Sequence, residues 1–301
     1  MSEIRIFKTK NGVEEIIFQE AKLERQIQNL IENNMEKFFG VRFIKSEWAI
    51  DDGRMDSIGL DENNCPVIFE YKKSQNDNVI NQGLFYLDWL VEHKEAFQML
   101  VREKFGDDAC DSVDFSAPSV FCIAGDFSNY DIHAVKQIGR NIKLVKYRIH
   151  DDDIVLFEQL NAPKAAVVIS QNNDGGSNST SKHVQKTHLE KLESAPEKIR
   201  MLYREVCDYI ESLDDDLSVN QLKYYVAYRK VQNVFCIEVY NSYIAIRTKL
   251  DPKKNDIIEG FTRDMTHTGH YGTGDFEIQL KNESQLEAVK DLLRKAIDEQ
   301  N

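Results

Sequence analysis

Residues 53–72, GRMDSIGLDENNCPVIFEYK, limit the possible folds more than any other stretch of the chain. Two runs with strand character, residues 54–60 and 66–72, flank a polar turn, Asp61-Glu62-Asn63-Asn64. Side chains alternate faces along a strand, so Arg54, Asp56, Ile58 and Leu60 share one face. On the second run Ile68, Glu70 and Lys72 share one face, and Val67, Phe69 and Tyr71 share the other. Folding the hairpin about Asn63 sets Asp56 opposite Glu70 and Arg54 opposite Lys72. Opposed Cβ atoms lie roughly 4.5–5.5 Å apart, where like charges destabilise a sheet. Two carboxylates in that position call for a group that offsets their repulsion, and a divalent cation is the simplest. Hard oxygen ligands and few protein groups suit Mg2+ or Mn2+. The plain alternative is an exposed, charged hairpin in which Asp56 pairs with Lys72 and Arg54 with Glu70 across the diagonals.

The flanking sequence predicts an α/β pattern. A helix is expected over residues 15–39, with Leu23, Ile27, Leu30, Ile31, Asn34 and Phe38 as its apolar stripe, Glu24 at the stripe's edge and Gly40 as its stop. Strands follow at residues 41–44 and 47–50, before the turn Asp51-Asp52-Gly53. One long helix is expected over residues 79–105, with Gln82, Tyr86 and Trp89 along one flank. Residues 119–124 read as a buried strand, 129–139 as a helix, and 142–149 and 154–159 as strands. The expected first domain, residues 1–165, is therefore a mixed β-sheet flanked by helices. Residues 166–192 are rich in Gly, Ser and Asn, lack apolar periodicity, and read as a flexible linker. Residues 193–301 predict a smaller α+β domain: a helix after Pro196, strands at 224–229, 234–240, 243–250 and 276–280, and a closing amphipathic helix over 284–299. Its loop 262–275 carries His267 and His270 between Asp264 and Asp275, either a metal pair or groups that fasten the loop.

At 42% hydrophobic content and 301 residues the chain can build two cores. No run approaches the ~18 apolar residues of a membrane span. The five cysteines are scattered, with no CxxC pair, and no charged-then-apolar leader opens the sequence, so a cytoplasmic protein with reduced thiols is expected. A net charge of −13 excludes a wholly basic phosphate-binding surface but not a local groove. Residues 132–150 hold no acid and carry Lys136, Arg140, Lys143, Lys146 and Arg148. With Arg54 and Lys73, the residues Lys136, Arg140, Lys143 and Lys146 are the candidate nucleic-acid contacts. The competing reading is a solvated helix and strand face.

In chain order the sequence offers Glu24 on a helix, Asp56 on a strand, Glu70-Tyr71-Lys72 on the next strand and Gln82-x3-Tyr86 on the next helix. This array resembles the PD-(D/E)xK nuclease superfamily, and within it the NucS-like endonuclease domain, whose G-R-x-D, E-x-K and Q-x3-Y patterns are all present. The resemblance covers roughly residues 20–95 and implies a restriction-endonuclease-like sheet, DNA as partner and, as in several nucleases of this fold, a homodimer. Residues 224–229 and the loop 262–275 resemble a domain of unknown function often joined to such nuclease domains, an architecture also loosely labelled predicted transport protein.

The chemistry follows from the residue types. Phosphodiester hydrolysis needs a water nucleophile and charge stabilisation at phosphorus. A metal held by Asp56, Glu70 and the backbone carbonyl of Tyr71 supplies both. Lys72, on the face of Glu70, is suited to orient the water or stabilise developing charge. Glu24 adds a ligand through water or holds a second metal, and Gln82 and Tyr86 are expected to hydrogen-bond Lys72, a bound water or the phosphate. The sequence-based expectation is a Mg2+- or Mn2+-dependent DNA endonuclease, the alternative being a binding module on a nuclease scaffold that does not cut.

Overall fold

The computed structural model describes residues 5–10, 12–18, 24–72, 79–150, 154–161 and 186–299. A small hairpin comes first, β1 (Ile6–Lys8) against β2 (Glu14–Ile16). Helix α1 (Glu24–Phe39) leads into β3 (Val41–Ile50), β4 (Gly53–Asp61) and β5 (Pro66–Lys72). Helices α2 (Val79–Glu92), α3 (Lys94–Phe105) and α4 (Asp107–Asp111) precede β6 (Ser119–Ala124). Then come α5 (Asn129–Gln137), β7 (Ile142–His150) and β8 (Ile154–Gln159).

These strands form a six-stranded mixed sheet in the order β3-β4-β5-β6-β7-β8, flanked by helices, as the pattern predicted. The first three strands run antiparallel, β5, β6 and β7 run parallel, and β8 returns antiparallel. Strands β5 and β6 are nearly continuous apolar runs because both their faces are covered. On one face α1 sets Ile27, Ile31, Met35 and Phe39 against Val67, Phe69, Tyr71 and Phe121. On the other, α2 and α3 bring Leu87, Leu90, Phe97 and Val101 over Ile58, Leu60, Ile68 and Val120. The hairpin register is as the turn implies, with Ser57 opposite Phe69 and Ile58 opposite Ile68.

Several expectations are corrected. The helix over 15–39 starts only at Glu24, since Glu14–Ile16 pairs as a strand; residues 19–23, Leu23 among them, lie outside the described residues. Gly40 does end α1, at φ +65°, with its N–H on the Glu36 carbonyl at 2.9 Å. The expected helix over 79–105 breaks at His93, whose Nδ1 lies 2.8 Å from the Trp89 carbonyl and whose ring stacks on Trp89 at 4.2 Å. The Trp89 carbonyl keeps its ladder bond from the His93 N–H at 2.9 Å, and the break lies in the His93 backbone itself, at φ −118° and ψ 49°, outside the helical region. Strand β3 is continuous where two strands were expected, and it absorbs the irregularity as a register shift between Phe43 and Lys45.

The second part holds α6 (His188–Ser194), α7 (Glu197–Leu213), β9 (Ser218–Gln221), β10 (Val226–Arg229), β11 (Asn233–Val239), β12 (Ile244–Thr248), β13 (Thr262–Asp264), β14 (Phe276–Leu280) and α8 (Leu286–Asp298). Its strands form an antiparallel sheet, β13-β14-β12-β11-β10-β9. Helices α7 and α8 cover one face with Leu202, Val206, Ile210, Val289 and Leu293. The short strands β9 and β13 were not expected. Much of the linker expected at 166–192 lies outside the described residues, but its end forms α6. A capping box starts that helix: Thr187 accepts from the Glu190 N–H while Glu190 accepts from the Thr187 N–H. The loop 262–275 fastens the fold: Thr273 Oγ1 accepts from Asn233, and the Tyr271 carbonyl accepts from Arg247. His270 Nε2 sits 3.9 Å from Asp275.

The two parts share a buried seam. Cys65 in the first packs with Leu222, Tyr225, Ala227 and Cys236 in the second. Arg229, 1% exposed, forms a buried ion pair with Asp61. Among the described residues no helix is long and apolar enough to cross a membrane.

Candidate functional site

The site is built where β4 meets β5, at the end of the hairpin away from the turn. The backbone ladder between the two strands runs from Leu60–Pro66 to Ser57–Phe69. One step further the carboxylates take over the backbone donors. Tyr71 N–H donates to Asp56 Oδ2 at 3.0 Å, and Asp56 N–H donates to Glu70 Oε1 at 3.3 Å. Each acid is thus oriented by the backbone of the other's strand. Asp56 is half-buried and Glu70 only 1% exposed.

The electrostatics follow from this crowding. Burial pushes the Glu70 carboxyl up to about 9, and the Asp56 charge adds to it; Glu24 also raises it, while Lys72 pulls it down. Burial likewise raises Asp56, opposed first by the Tyr71 N–H and then by Lys72. Glu24 and Lys72 therefore lie close enough to act on the charge of Glu70, and Lys72 on that of Asp56 as well; Lys72 is half-buried at the rim.

Tyr86 has a different setting from the one expected. It is 6% exposed, and its hydroxyl accepts the Arg54 N–H at 3.2 Å. A Cβ on Gly53 would lie 2.9 Å from that ring, so the glycine that opens the G-R-x-D pattern makes room for Tyr86. The Q-x3-Y and G-R-x-D elements thus meet at the backbone of β4. Gln82 is exposed on α2. Arg54 is exposed and its Nε contacts Glu47 at 2.6 Å.

Sequence reasoning underweighted a polar group on the other side of Asp56. Between the pairs Ser46–Ser57 and Trp48–Met55, Glu47 falls level with Asp56. Its φ of +52° is unusual for a residue with a side chain, and such strain gathers at functional sites. Its charge raises Asp56. Buried Gln28 points its amide at Glu32, Ser46, Glu47 and the Asp56 carbonyl, all within 3.0–3.2 Å. Ser57 Oγ donates to Glu32 at 2.6 Å. The usable signal was Gln28, one helical turn beyond Glu24 and so on the same face.

The expected basic contacts do not form one surface. Lys143 is corrected outright: it is 1% exposed, its Nζ over the Phe121 ring at 4.5 Å, because β7 is covered on that face. Burial, and then Arg229, hold its ammonium well below the ordinary lysine range. Lys146 is largely buried against Asp126 at 2.5 Å, and Arg140 pairs with Asp88 at 2.7 Å. Lys136 is exposed on α5, and Lys73 lies outside the described residues.

Two carboxylates and a backbone carbonyl form a hard-oxygen set that leaves most of a cation's shell to water, as Mg2+ prefers. Burial raises both carboxyls, the Asp56 charge adds to it at Glu70 and the Glu47 charge at Asp56; a divalent cation offsets each of these, so the groups fit one. Among the described residues no group of three or more His, Cys, Asp or Glu is placed to hold a metal ion, so water would supply most of the shell.

Known proteins give four points of comparison. A family described as a domain of unknown function (DUF5655) matches residues 172–300. An uncharacterized protein of Haemophilus influenzae is 31% identical over 98% of this chain and 99% of its own length. Among solved structures, a repair endonuclease from Pyrococcus abyssi aligns at TM-score 0.27 and 17% identity, over 47% of this chain and 61% of its own. The EndoMS-dsDNA2 complex aligns at TM-score 0.25, also 17% identical, over 45% of this chain and 54% of its own.

Proposed function

This chain belongs to one family with the uncharacterized Haemophilus influenzae protein, and from its site we propose that it is a metal-dependent endonuclease hydrolysing DNA phosphodiester bonds. The observation that carries the reading is the crossed pair of contacts, Tyr71 N–H to Asp56 and Asp56 N–H to Glu70, which holds two repelling carboxylates side by side. Asp56, Glu70 and the Tyr71 carbonyl would hold Mg2+ or Mn2+, which when bound neutralises phosphoryl charge and acidifies a water. Lys72, at the rim, orients that water or offsets charge on the phosphoryl oxygens. Glu24 would add a ligand through water or hold a second metal beside Glu70. Gln82 reaches substrate from α2. Tyr86 acts indirectly, by fixing the Arg54 backbone, and Arg54 with Lys136 and Lys73 contacts the DNA backbone. A cytoplasmic location and a homodimer complete the proposal; sedimentation of the pure protein decides the second.

The test is cleavage of supercoiled plasmid by the full chain with Mg2+ or Mn2+ and with chelator. Nicking that needs the cation is expected, with Asp56→Ala, Glu70→Ala and Lys72→Ala each losing about 10²-fold or more. Activity that persists in these variants removes the site. Single-stranded, flapped and RNA substrates in the same assay define the class of nucleic acid. The 1% exposure of Glu70 favours a second reading, a scaffold that binds without cutting; salt-sensitive DNA binding without cleavage in any cation would establish it.

A further inference from the structure

The turn that joins β4 to β5 is enclosed by the second domain. Asp61 Oδ1 accepts the N–H groups of Asn63 and Cys65 at 2.8 and 2.9 Å, which closes the turn on itself. Its Oδ2 receives Arg229 Nη1 from the end of β10, with both side chains at or below 1% exposure. Asn63 Oδ1 accepts from Tyr225 Oη at 2.9 Å and from Asn233 Nδ2 at 2.6 Å, and Asn63 Nδ2 donates back to Asn233 Oδ1 at 3.1 Å. Glu62 accepts the Asn233 N–H at 2.8 Å and Lys249 Nζ at 2.5 Å. Thus Asp61, Glu62 and Asn63 each bond through their side chains to β10, β11 or their flanks. A hairpin turn is ordinarily the solvated, mobile end of its strands.

We infer that the second domain is a clamp that holds the hairpin carrying Asp56 and Glu70 in register, with Arg229, Asn233 and Tyr225 as positioning residues. Asp56 lies five residues before Asp61 and Glu70 five after Cys65, each on an unbroken strand. A rotation or slip at the turn is therefore carried along both strands to the acids. Register is sensitive because a slip of one residue turns a side chain to the opposite face. Misplacement of reacting groups by about 1 Å costs on the order of 10²-fold in rate. The catalytic part of this inference rests on the endonuclease reading; the mechanical part does not.

The experiment uses full-length Asn63→Ala and Arg229→Met, with Arg229→Lys as the conservative variant, and has two readouts. Amide hydrogen exchange is expected to speed up over residues 53–72 in Asn63→Ala and Arg229→Met, while α8 keeps its wild-type protection. In plasmid cleavage, turnover should fall roughly 10²-fold at unchanged KM, with Arg229→Lys recovering part of it. Unchanged exchange over residues 53–72 overturns the clamp. So does a rise in KM at wild-type turnover, which would make the seam a substrate-binding surface. If the wild type does not cut DNA, the endonuclease reading fails while exchange still decides the clamp. If Arg229→Met does not fold, Asn63→Ala, which removes only side-chain contacts at the turn, carries both readouts.

Discussion

Glu70 stays protonated in the cation-free protein up to about 9, because burial and Asp56 both oppose its charge. The unfolded chain ionises it in the ordinary glutamate range. Its folded value is the higher one, so its contribution to stability is complete below that range and is lost as pH rises through about 9. The raised Asp56 adds to the same slope. Thermal melts without divalent cation should fall across that window, and Glu70→Gln should flatten the fall and melt above wild type near its upper end. Parallel profiles for the two proteins would count against this account of Glu70. Lys143 has the opposite sign. Its value is depressed, so its stabilising share is lost as pH falls, and at neutral pH a buried amine next to Arg229 is a cost. Its Nζ has no hydrogen-bond partner, so Lys143→Met, similar in shape, should stabilise by on the order of 1 kcal/mol or more in denaturant melts.

Among the elements, β4 depends on its first residue. Gly53 leaves room for Tyr86, and Tyr86 in turn binds the Arg54 N–H two residues before Asp56. Gly53→Ala puts a methyl at 2.9 Å from that ring and should cost about 1–3 kcal/mol by overpacking. Tyr86→Phe keeps the packing and gives up one hydrogen bond, a cost of about 1 kcal/mol. Chemical denaturation of both variants checks the order; a Gly53→Ala protein as stable as wild type would show that the ring yields freely. The break between α2 and α3 also matters here, because it lets α3 leave the line of α2 and bring Phe97 and Val101 onto the same core.

At the scale of the molecule, the two sheets meet along a buried seam. The seam buries Cys65 with Leu222, Tyr225 and Cys236, and Val231 packs onto the core beneath α1. Residues 1–165 produced alone would expose this apolar seam and leave the turn without Arg229. The fragment should melt below the full chain and associate through the bared face, as light scattering would register. A monomeric fragment melting with the intact protein would argue that the seam contributes little. The expectation of a flexible linker came from the polar composition of residues 166–192, and composition carries no information about what the flanking domains touch.

Local pattern alone determined the mixed sheet, the bounds of β5, β6, β8 and β14, and the register that sets Asp56 beside Glu70, because alternation and turn chemistry act over a few residues. The acidic pair and Lys72 were legible for the same reason. Only tertiary structure decided that Glu47 and Gln28 adjoin Asp56, that Tyr86 faces inward on Gly53, that Lys143 is entombed, and that Arg229 closes on Asp61. Those contacts join residues up to 168 positions apart. They depend on which faces of two sheets are covered, and a linear spacing does not encode that.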